Sequence, residues 1–162
     1  MTLLELMLAS AMLTTVLTAV SVVVRGAYNT WQAHEGDSQR IEAAHATVRH
    51  IVRQMRQAQA VTAITAKTNA AGSLSLLMTN GQTWVWSRNA GTDQVLHGVT
   101  TATHLLAENI TELSFIGYEL DGVTETTTVD DIHSIKCIAK TVLPRDSGGG
   151  RTVSCWGWVR AW

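Results

Sequence analysis

An uninterrupted apolar stretch is the first feature of the hydrophobic pattern. Residues 6–24 carry no charged side chain, whereas Glu5 stands just before them and Arg25 just after them. At about 1.5 Å of helix rise per residue, a stretch of this length nearly spans the roughly 30 Å hydrocarbon core of a bilayer. The pattern predicts a helix that lies in a membrane or in equally apolar surroundings.

A helical pattern of a different kind follows. Positions that are mostly apolar recur at alternating intervals of three and four residues, which places them on one face of a helix. They are Ile41, Ala44, His45, Val48, Ile51, Val52, Met55 and Ala58. The arginines of this stretch lie mostly off that face. We expect the N-terminal helix to continue to about residue 60 and to pack this face on a sheet.

After residue 60 the pattern changes to short alternating runs separated by Gly, Asn and Asp. Asn80-Gly81 and Asp121-Gly122 have the composition of tight turns, and residues 144–150 are predicted to form a loop. The predicted strands are 61–66, 73–79, 83–88, 94–97, 110–120, 131–143 and 151–162. The chain is therefore predicted to be α+β, with a long N-terminal helix packed on a C-terminal antiparallel sheet. Its parts are an apolar helix (1–25), an amphipathic continuation (26–60) and a β-sheet head (61–162).

Composition and charge narrow the classes of partner. The chain has 162 residues, 12 basic and 13 acidic, so it shows no excess of positive charge. Nucleic-acid binding usually requires a basic face, and we predict no nucleic-acid partner. With 46% hydrophobic and 15% charged residues, the composition is globular or membrane-linked and not that of a disordered chain.

Glu5 is the unusual residue of the apolar helix, because an ionisable group at the edge of such a stretch costs energy and usually marks function. No Lys or Arg occurs in the first 24 residues, so the nearby positive charge is the α-amino group of Met1. Glu5 of one copy can pair with Met1 of a neighbouring copy. We predict that Met1 and Glu5 together form an assembly device.

The first six residues, MTLLEL from Met1 to Leu6, resemble the start of type IV pilins and type II secretion pseudopilins after cleavage of their leader peptide. A looser resemblance covers residues 105–115 with Tyr118 and the Asp121-Gly122 turn. Family members often begin with Phe, and Met1 departs from that pattern. The resemblance implies removal of a leader by a prepilin peptidase, methylation at Met1 and an inner-membrane assembly platform. It also implies residence in the inner membrane before assembly and then an extracellular, cell-surface filament of many copies.

The second half of the apolar stretch is rich in β-branched and hydroxylated residues, which have below-average helix propensity in water. The resemblance implies that this part of the helix melts in assembled filaments, frequently near a proline, which this sequence replaces with a glycine. We therefore predict a locally unwound stretch within residues 14–24. The candidate residues are Thr14, Thr15, Thr18, Ser21 and Gly26.

Cys137 and Cys155 are the two cysteines, and neither belongs to a CxxC or zinc-like pattern. If strands 131–143 and 151–162 form a hairpin, paired residues share a constant index sum. The two cysteines then lie almost opposite each other across the loop, and we predict a disulfide between them. The alternative is two unrelated buried thiols.

Other candidate chemistry is weak. His34, His45 and His50 lack the spacing of a compact metal site, and we predict no metal and no cofactor. The acidic residues near Asp121 are expected to form a solvated turn and not a calcium site. No catalytic constellation occurs, and the chain is expected not to be an enzyme. Five of the six tryptophans fall into two clusters, Trp84 with Trp86 and Trp156 with Trp158 and Trp162, which suit a sheet core or a contact between subunits.

Three functions remain open at this point. The first is the main structural subunit of a type IV pilus-like filament that polymerises through the N-terminal helix. The second is a minor pilin or type II secretion pseudopilin that primes or caps such a filament. The third, from another class, is a binding domain that uses the helix only as a membrane anchor.

Overall fold

The computed structural model describes residues 2–143 and 149–159. One helix, α1 (Leu3–Met55), occupies the first third of the chain. Contacts divide the molecule into two units, Met1–Gly36 and Asp37–Trp162. The second unit contains the last part of α1 and all the strands, and it is the head of the protein.

The head contains two antiparallel sheets where the sequence predicted one. Sheet A has the order β1-β2-β3-β4-β5, and its strands follow one another as hairpins. They are β1 (Ala58–Ile64), β2 (Ser73–Met78), β3 (Thr83–Asn89), β4 (Gln94–Val99) and β5 (His104–Ala107). Sheet B has the order β7-β6-β8-β9. Its strands are β6 (Glu112–Tyr118), β7 (Glu125–Thr126), β8 (Ser134–Val142) and β9 (Gly150–Trp158), and a 3-10 turn (Val129–Asp131) precedes β8.

The two Gly-containing turns form where the sequence placed them. Gly81 and Gly122 have φ angles of 80° and 68°, a backbone region that glycine enters without steric cost. In the second turn the Asp121 carboxylate accepts hydrogen bonds from the N–H groups of Val123 and Thr124, each at 2.9 Å. The Thr124 hydroxyl also donates to it, and these bonds lower the pKa of Asp121. The acidic turn is thus organised by its own backbone, as expected of a solvated turn.

The core of the head lies between the last part of α1 and the inner faces of both sheets. Ala44, Val48, Ile51 and Met55 on the helix are at most 1% exposed. They belong to one buried cluster with residues of both sheets, including Leu74, Leu76 and Trp86 from sheet A and Phe115, Ile135 and Cys137 from sheet B. Complete burial of side chains of this size stabilises a fold by about 1.5–3 kcal/mol each. Most of the amphipathic face predicted from the 3–4 spacing is buried, but His45 on that face is exposed and Ile41 is half-buried.

A short backbone junction joins the two sheets. The Gly72 N–H donates to the Leu113 carbonyl oxygen at 2.8 Å, and the Leu113 N–H donates to the Ala70 carbonyl oxygen at 2.9 Å. A Cβ atom at Gly72 would lie 2.4 Å from that same Leu113 oxygen. Because the oxygen belongs to the backbone, it cannot move aside as a flexible side chain could.

Replacing Gly72 with alanine is expected to destabilise the head by about 2 kcal/mol or more, because the junction must open to admit the methyl group. Urea unfolding of the full chain in detergent micelles measures the loss. Gly91→Ala is the matched control, since its nearest contact would be an ordinary 3.5 Å from the Asn89 side chain. Equal unfolding midpoints for the two variants would contradict the role of the junction.

Three details of the sequence interpretation are corrected. The helix was expected to continue to about residue 60, but it ends at Met55, and Ala58 begins strand β1. The helix α1 is continuous through residues 14–24, so the prediction of an unwound stretch there is wrong for the single chain. The strand predicted to begin at residue 131 begins at Ser134, because Val129–Asp131 form a 3-10 turn. The predicted loop 144–150 and the end of the last predicted strand lie largely outside the described residues.

Candidate assembly site

The first unit presents a large apolar surface to its surroundings. The large hydrophobic side chains between Leu3 and Val24 are each 53–79% exposed. The helix contains an 18-residue window that is long and apolar enough to cross a membrane, and no part of that window is buried within the chain. Exposed apolar surface of this extent marks a contact with lipid or with protein. The helix is therefore compatible with membrane insertion.

Glu5 lies at the start of this surface, where it caps the helix. The Thr2 N–H donates to Glu5 Oε2 at 2.8 Å, and the Glu5 N–H donates to Thr2 Oγ1 at 3.3 Å. This reciprocal pair is a capping box, which satisfies two of the N–H groups that a helix leaves unpaired at its N-terminus. The Thr-x-x-Glu spacing is visible in the sequence, but the sequence analysis did not use it.

The capping box fixes the direction of the carboxylate. Its oxygens point back toward the N-terminus of the helix, where the helix dipole favours negative charge. An ionised carboxylate offers about four acceptor positions, so the bond from Thr2 leaves capacity for a cation. Met1, the predicted partner of Glu5 on a neighbouring copy, lies outside the described residues.

Hydroxyl groups inside the apolar stretch are bonded within the helix itself. Ser10 donates to the Met7 carbonyl oxygen at 2.9 Å and Thr14 to that of Ala11 at 2.9 Å. Thr15 and Thr18 donate to carbonyl oxygens one turn earlier, at 2.8 and 2.7 Å. These bonds let the hydroxyls sit in apolar surroundings without unpaired donors. They are compatible with the continuous helix that the structure shows over Thr14, Thr15 and Thr18.

Aromatic residues follow the end of the apolar stretch. Tyr28 and Trp31 are 54% and 61% exposed, with ring centroids 6.2 Å apart, and Gln32 Nε2 donates to the Tyr28 hydroxyl at 3.0 Å. They lie about one and two helical turns beyond Arg25. Tyr, Trp and Arg are typical of the boundary between a bilayer core and water. The sequence analysis gave these residues no role, although their position after Arg25 was the available signal.

The two cysteines lie where the hairpin argument placed them. Cys137 on β8 is paired in register with Cys155 on β9. The predicted disulfide is not formed in this structure, where both thiols are free and Cys155 Sγ instead lies 3.8 Å from the Trp156 carbonyl oxygen. Cys137 is fully buried and Cys155 half-buried. Burial, and to a smaller degree the neighbouring Cys155, raises the pKa of the Cys137 thiol.

The tryptophan clusters differ in environment. Trp86 is fully buried, and its ring stacks on that of Trp84 with centroids 6.1 Å apart. Trp156 and Trp158 are exposed on the outer face of sheet B, where the Trp156 ring lies 4.5 Å from that of Tyr118. Trp84 and Trp86 therefore belong to the hydrophobic core or pack against it, whereas Trp156 and Trp158 form part of the surface of the head. Trp162 lies outside the described residues.

Metal-binding side chains do not cluster among the described residues, and a cavity opens in the head. Within residues 2–143 and 149–159, no group of three or more His, Cys, Asp or Glu side chains is arranged to hold a metal ion. A cavity of about 190 Å³ opens beside β1 and β6, with the Lys67–Glu125 ion pair at its edge and Phe115 in its lining. The described lining of this cavity contains no histidine and no cysteine.

Comparison with known proteins adds no relative, because no family model, no curated protein and no solved structure matches the chain. The class therefore rests on the architecture alone. The protein is α+β, with a long N-terminal helix whose first part is apolar and exposed and whose last part packs on antiparallel sheets. This arrangement is compatible with a pilin-like fold.

Proposed function

We propose that the chain is the main structural subunit of an extracellular type IV pilus-like filament. The observation that carries this proposal is the exposed apolar surface between Leu3 and Val24, with the single carboxylate of Glu5 at its start. A surface of this kind needs an apolar partner, and other copies of the same helix provide one. The helices of many copies then form the filament core, and the heads form its outer surface.

In the proposed filament, Glu5 of one subunit pairs with the Met1 amino group of a neighbour. The pair neutralises two charges that would otherwise be buried among apolar side chains. Removing one partner of a buried pair is strongly destabilising, by about 3–5 kcal/mol, because it leaves the other charge uncompensated. Charge pairing therefore fixes the axial position at which each new subunit docks.

Before assembly, the same helix holds the subunit in the inner membrane. Glu5 and Arg25 are 20 positions apart in the sequence, so along the helix their separation is about 30 Å, the thickness of a bilayer core. Tyr28 and Trp31 then lie in the interfacial layer on the head side. Leader cleavage by a prepilin peptidase, methylation of Met1 and transfer to an assembly platform follow from the resemblance of the first six residues to type IV pilins.

A minor pilin or type II secretion pseudopilin is the second candidate. The exposed Trp156 and Trp158 on the outer face of sheet B favour it, since aromatic surface suits contact with an unlike subunit when a filament is primed or capped. A membrane-anchored binding domain is the candidate from another class. It requires the helix but not the carboxylate of Glu5.

The direct test is electron microscopy of filaments sheared from the native cell, with mass spectrometry of the same fraction. We expect thin filaments in which this chain is the most abundant protein and begins with a methylated Met1. Filaments made of another protein, with this chain at trace level, would instead indicate a minor subunit. Retention of all the chain in the membrane fraction would indicate an anchored domain.

A further inference from the structure

Two histidines meet between α1 and sheet A, and a third lies exposed beside them on the edge strand, although the three are far apart in the sequence. His50 lies on α1, His97 on β4 and His104 on β5. The His50 and His97 rings are 5.2 Å apart between centroids, and the His97 and His104 rings are 5.9 Å apart. In sheet A, His97 on β4 is paired with Trp86 on β3 and with His104 on β5. The side chains of Trp86, His97 and His104 therefore lie on the same face of the sheet.

Two tryptophans pack against His50 and His97. The Trp84 ring lies nearly parallel to that of His97, with centroids 5.9 Å apart and an angle of 11° between the planes. The Trp86 ring meets that of His50 edge-on at 6.2 Å. Aromatic surface stabilises a neutral ring by burial but offers no hydrogen-bond acceptor in its plane.

The buried ring nitrogens of His50 and His97 have no acceptor, in the part of the chain that the structure describes, for the N–H group that protonation would add. Nδ1 of His50 and Nδ1 of His97 are both buried without a hydrogen-bond partner among the described residues. A neutral imidazole can leave one nitrogen unprotonated, whereas the imidazolium form carries an N–H donor on both. Protonation would therefore bury an unpaired donor and a positive charge at each ring, and both cost free energy.

We propose that His50 and His97 form an acid-sensitive contact that holds α1 against sheet A while both rings are neutral and loosens when they take up protons. This histidine contact lies entirely within the head and is independent of the proposed assembly through Glu5. It would make the head, and with it any assembly of heads, less stable in mildly acidic surroundings.

The charges around the contact act in the same direction. Burial, then His97, then Arg53 on α1 lower the pKa of His50, while burial and then His104 lower the pKa of His97. Among the described residues, no carboxylate contributes to either shift. The C-terminal end of α1 at Met55 favours positive charge, but that effect is confined to the last turn, and His50 precedes it.

The sign of the pH dependence follows from these shifts. Both pKa values are lower in the folded chain than the usual 6.5, so the unfolded chain binds protons more readily. The contribution of the contact to the free energy of unfolding is fully present above about pH 6.5. It is lost as the pH falls from that value toward the pKa values of the folded chain.

Thermal unfolding of the full chain in detergent micelles tests the proposal, with tryptophan fluorescence as the readout. Between pH 7.5 and 5.5 we expect the unfolding temperature of the native chain to fall by roughly 5 °C. In the double variant His50→Gln, His97→Gln, we expect the unfolding temperature to fall by no more than half as much. His45→Gln is the control, since His45 is exposed on the same helix and should leave the fall unchanged. An equal fall in the double variant and in the native chain would overturn the proposal.

A second measurement covers the case in which the double variant does not fold. Proton NMR of the native chain gives the titration midpoint of each histidine separately. We expect the midpoints of His50 and His97 both to lie below 6.5. Midpoints for both rings at or above about 6.5 would overturn the proposal without any substitution.

Discussion

Replacing Glu5 with alanine is expected to stop filament assembly almost completely, while the chain still enters the membrane and its head still folds. The variant leaves the Met1 amino group of each neighbour unpaired in an apolar core, at a cost of about 3–5 kcal/mol per contact. A loss of this size corresponds to roughly a hundredfold or greater weakening of each docking step. Counting surface filaments by electron microscopy, with immunoblots of the membrane fraction, measures both expectations.

Two further variants separate the charge of Glu5 from its capping bond. Glu5→Gln keeps a polar side chain of the same shape but removes the negative charge, and it should assemble as poorly as the alanine variant. Thr2→Val removes the hydroxyl of the capping box but keeps the carboxylate. Loss of such a cap costs only about 1 kcal/mol, so this variant should still form filaments, at a reduced level.

The pattern of outcomes distinguishes the candidate functions. Failure of both Glu5 variants with partial assembly of Thr2→Val supports charge pairing between subunits. Assembly of Glu5→Gln at the native level, with failure of Glu5→Ala, would mean that Glu5 acts only by capping α1, because glutamine can form the same capping bond. If the Glu5→Ala variant reaches the cell surface in the same amount as the native chain, the filament proposal is contradicted and a membrane-anchored binding domain is favoured.

The N-terminal helix was predictable because its signals are local. The uncharged run and the 3–4 spacing of apolar positions are both contained in short windows, and the structure has one helix over these residues. The single chain is not unwound at residues 14–24, because helix propensity in water is only a weak guide to the state of a long helix. Unwinding in an assembled filament stays a prediction. The capping box was predictable from Thr2 and Glu5 but was missed.

The head was predictable in part. The pairing of Cys137 with Cys155 followed from the constant index sum of paired residues in a hairpin, because the loop that joins two strands fixes their register. The division into two sheets did not follow, because it depends on the junction at Gly72 and Leu113, a contact between distant parts of the chain. The meeting of His50 with His97 was hidden for the same reason, and the sequence analysis compared His50 only with nearby histidines.

Oxidation of the chain is expected to join Cys137 and Cys155 and to stabilise the head by roughly 3 kcal/mol. Residues paired across antiparallel strands have Cα atoms about 4.5 or 5.5 Å apart, and both distances lie within the range that a disulfide spans. The bond would close a loop of about 18 residues, for which loss of unfolded-state entropy predicts a gain of this size. Non-reducing mass spectrometry, with urea unfolding before and after reduction, gives the bond and its effect.

The half-buried Cys155 should control how fast this bond forms, because burial of Cys137 raises its pKa and disfavours the attacking thiolate there. Cys155→Ser is the cleaner control, since a serine at the fully buried position 137 would add a core hydroxyl to the lost bond. The variant should unfold at the midpoint of the reduced native chain under both redox conditions. If the oxidised native chain gains no stability over Cys155→Ser, the two cysteines are independent thiols, and the C-terminal hairpin is held by its register and core contacts alone.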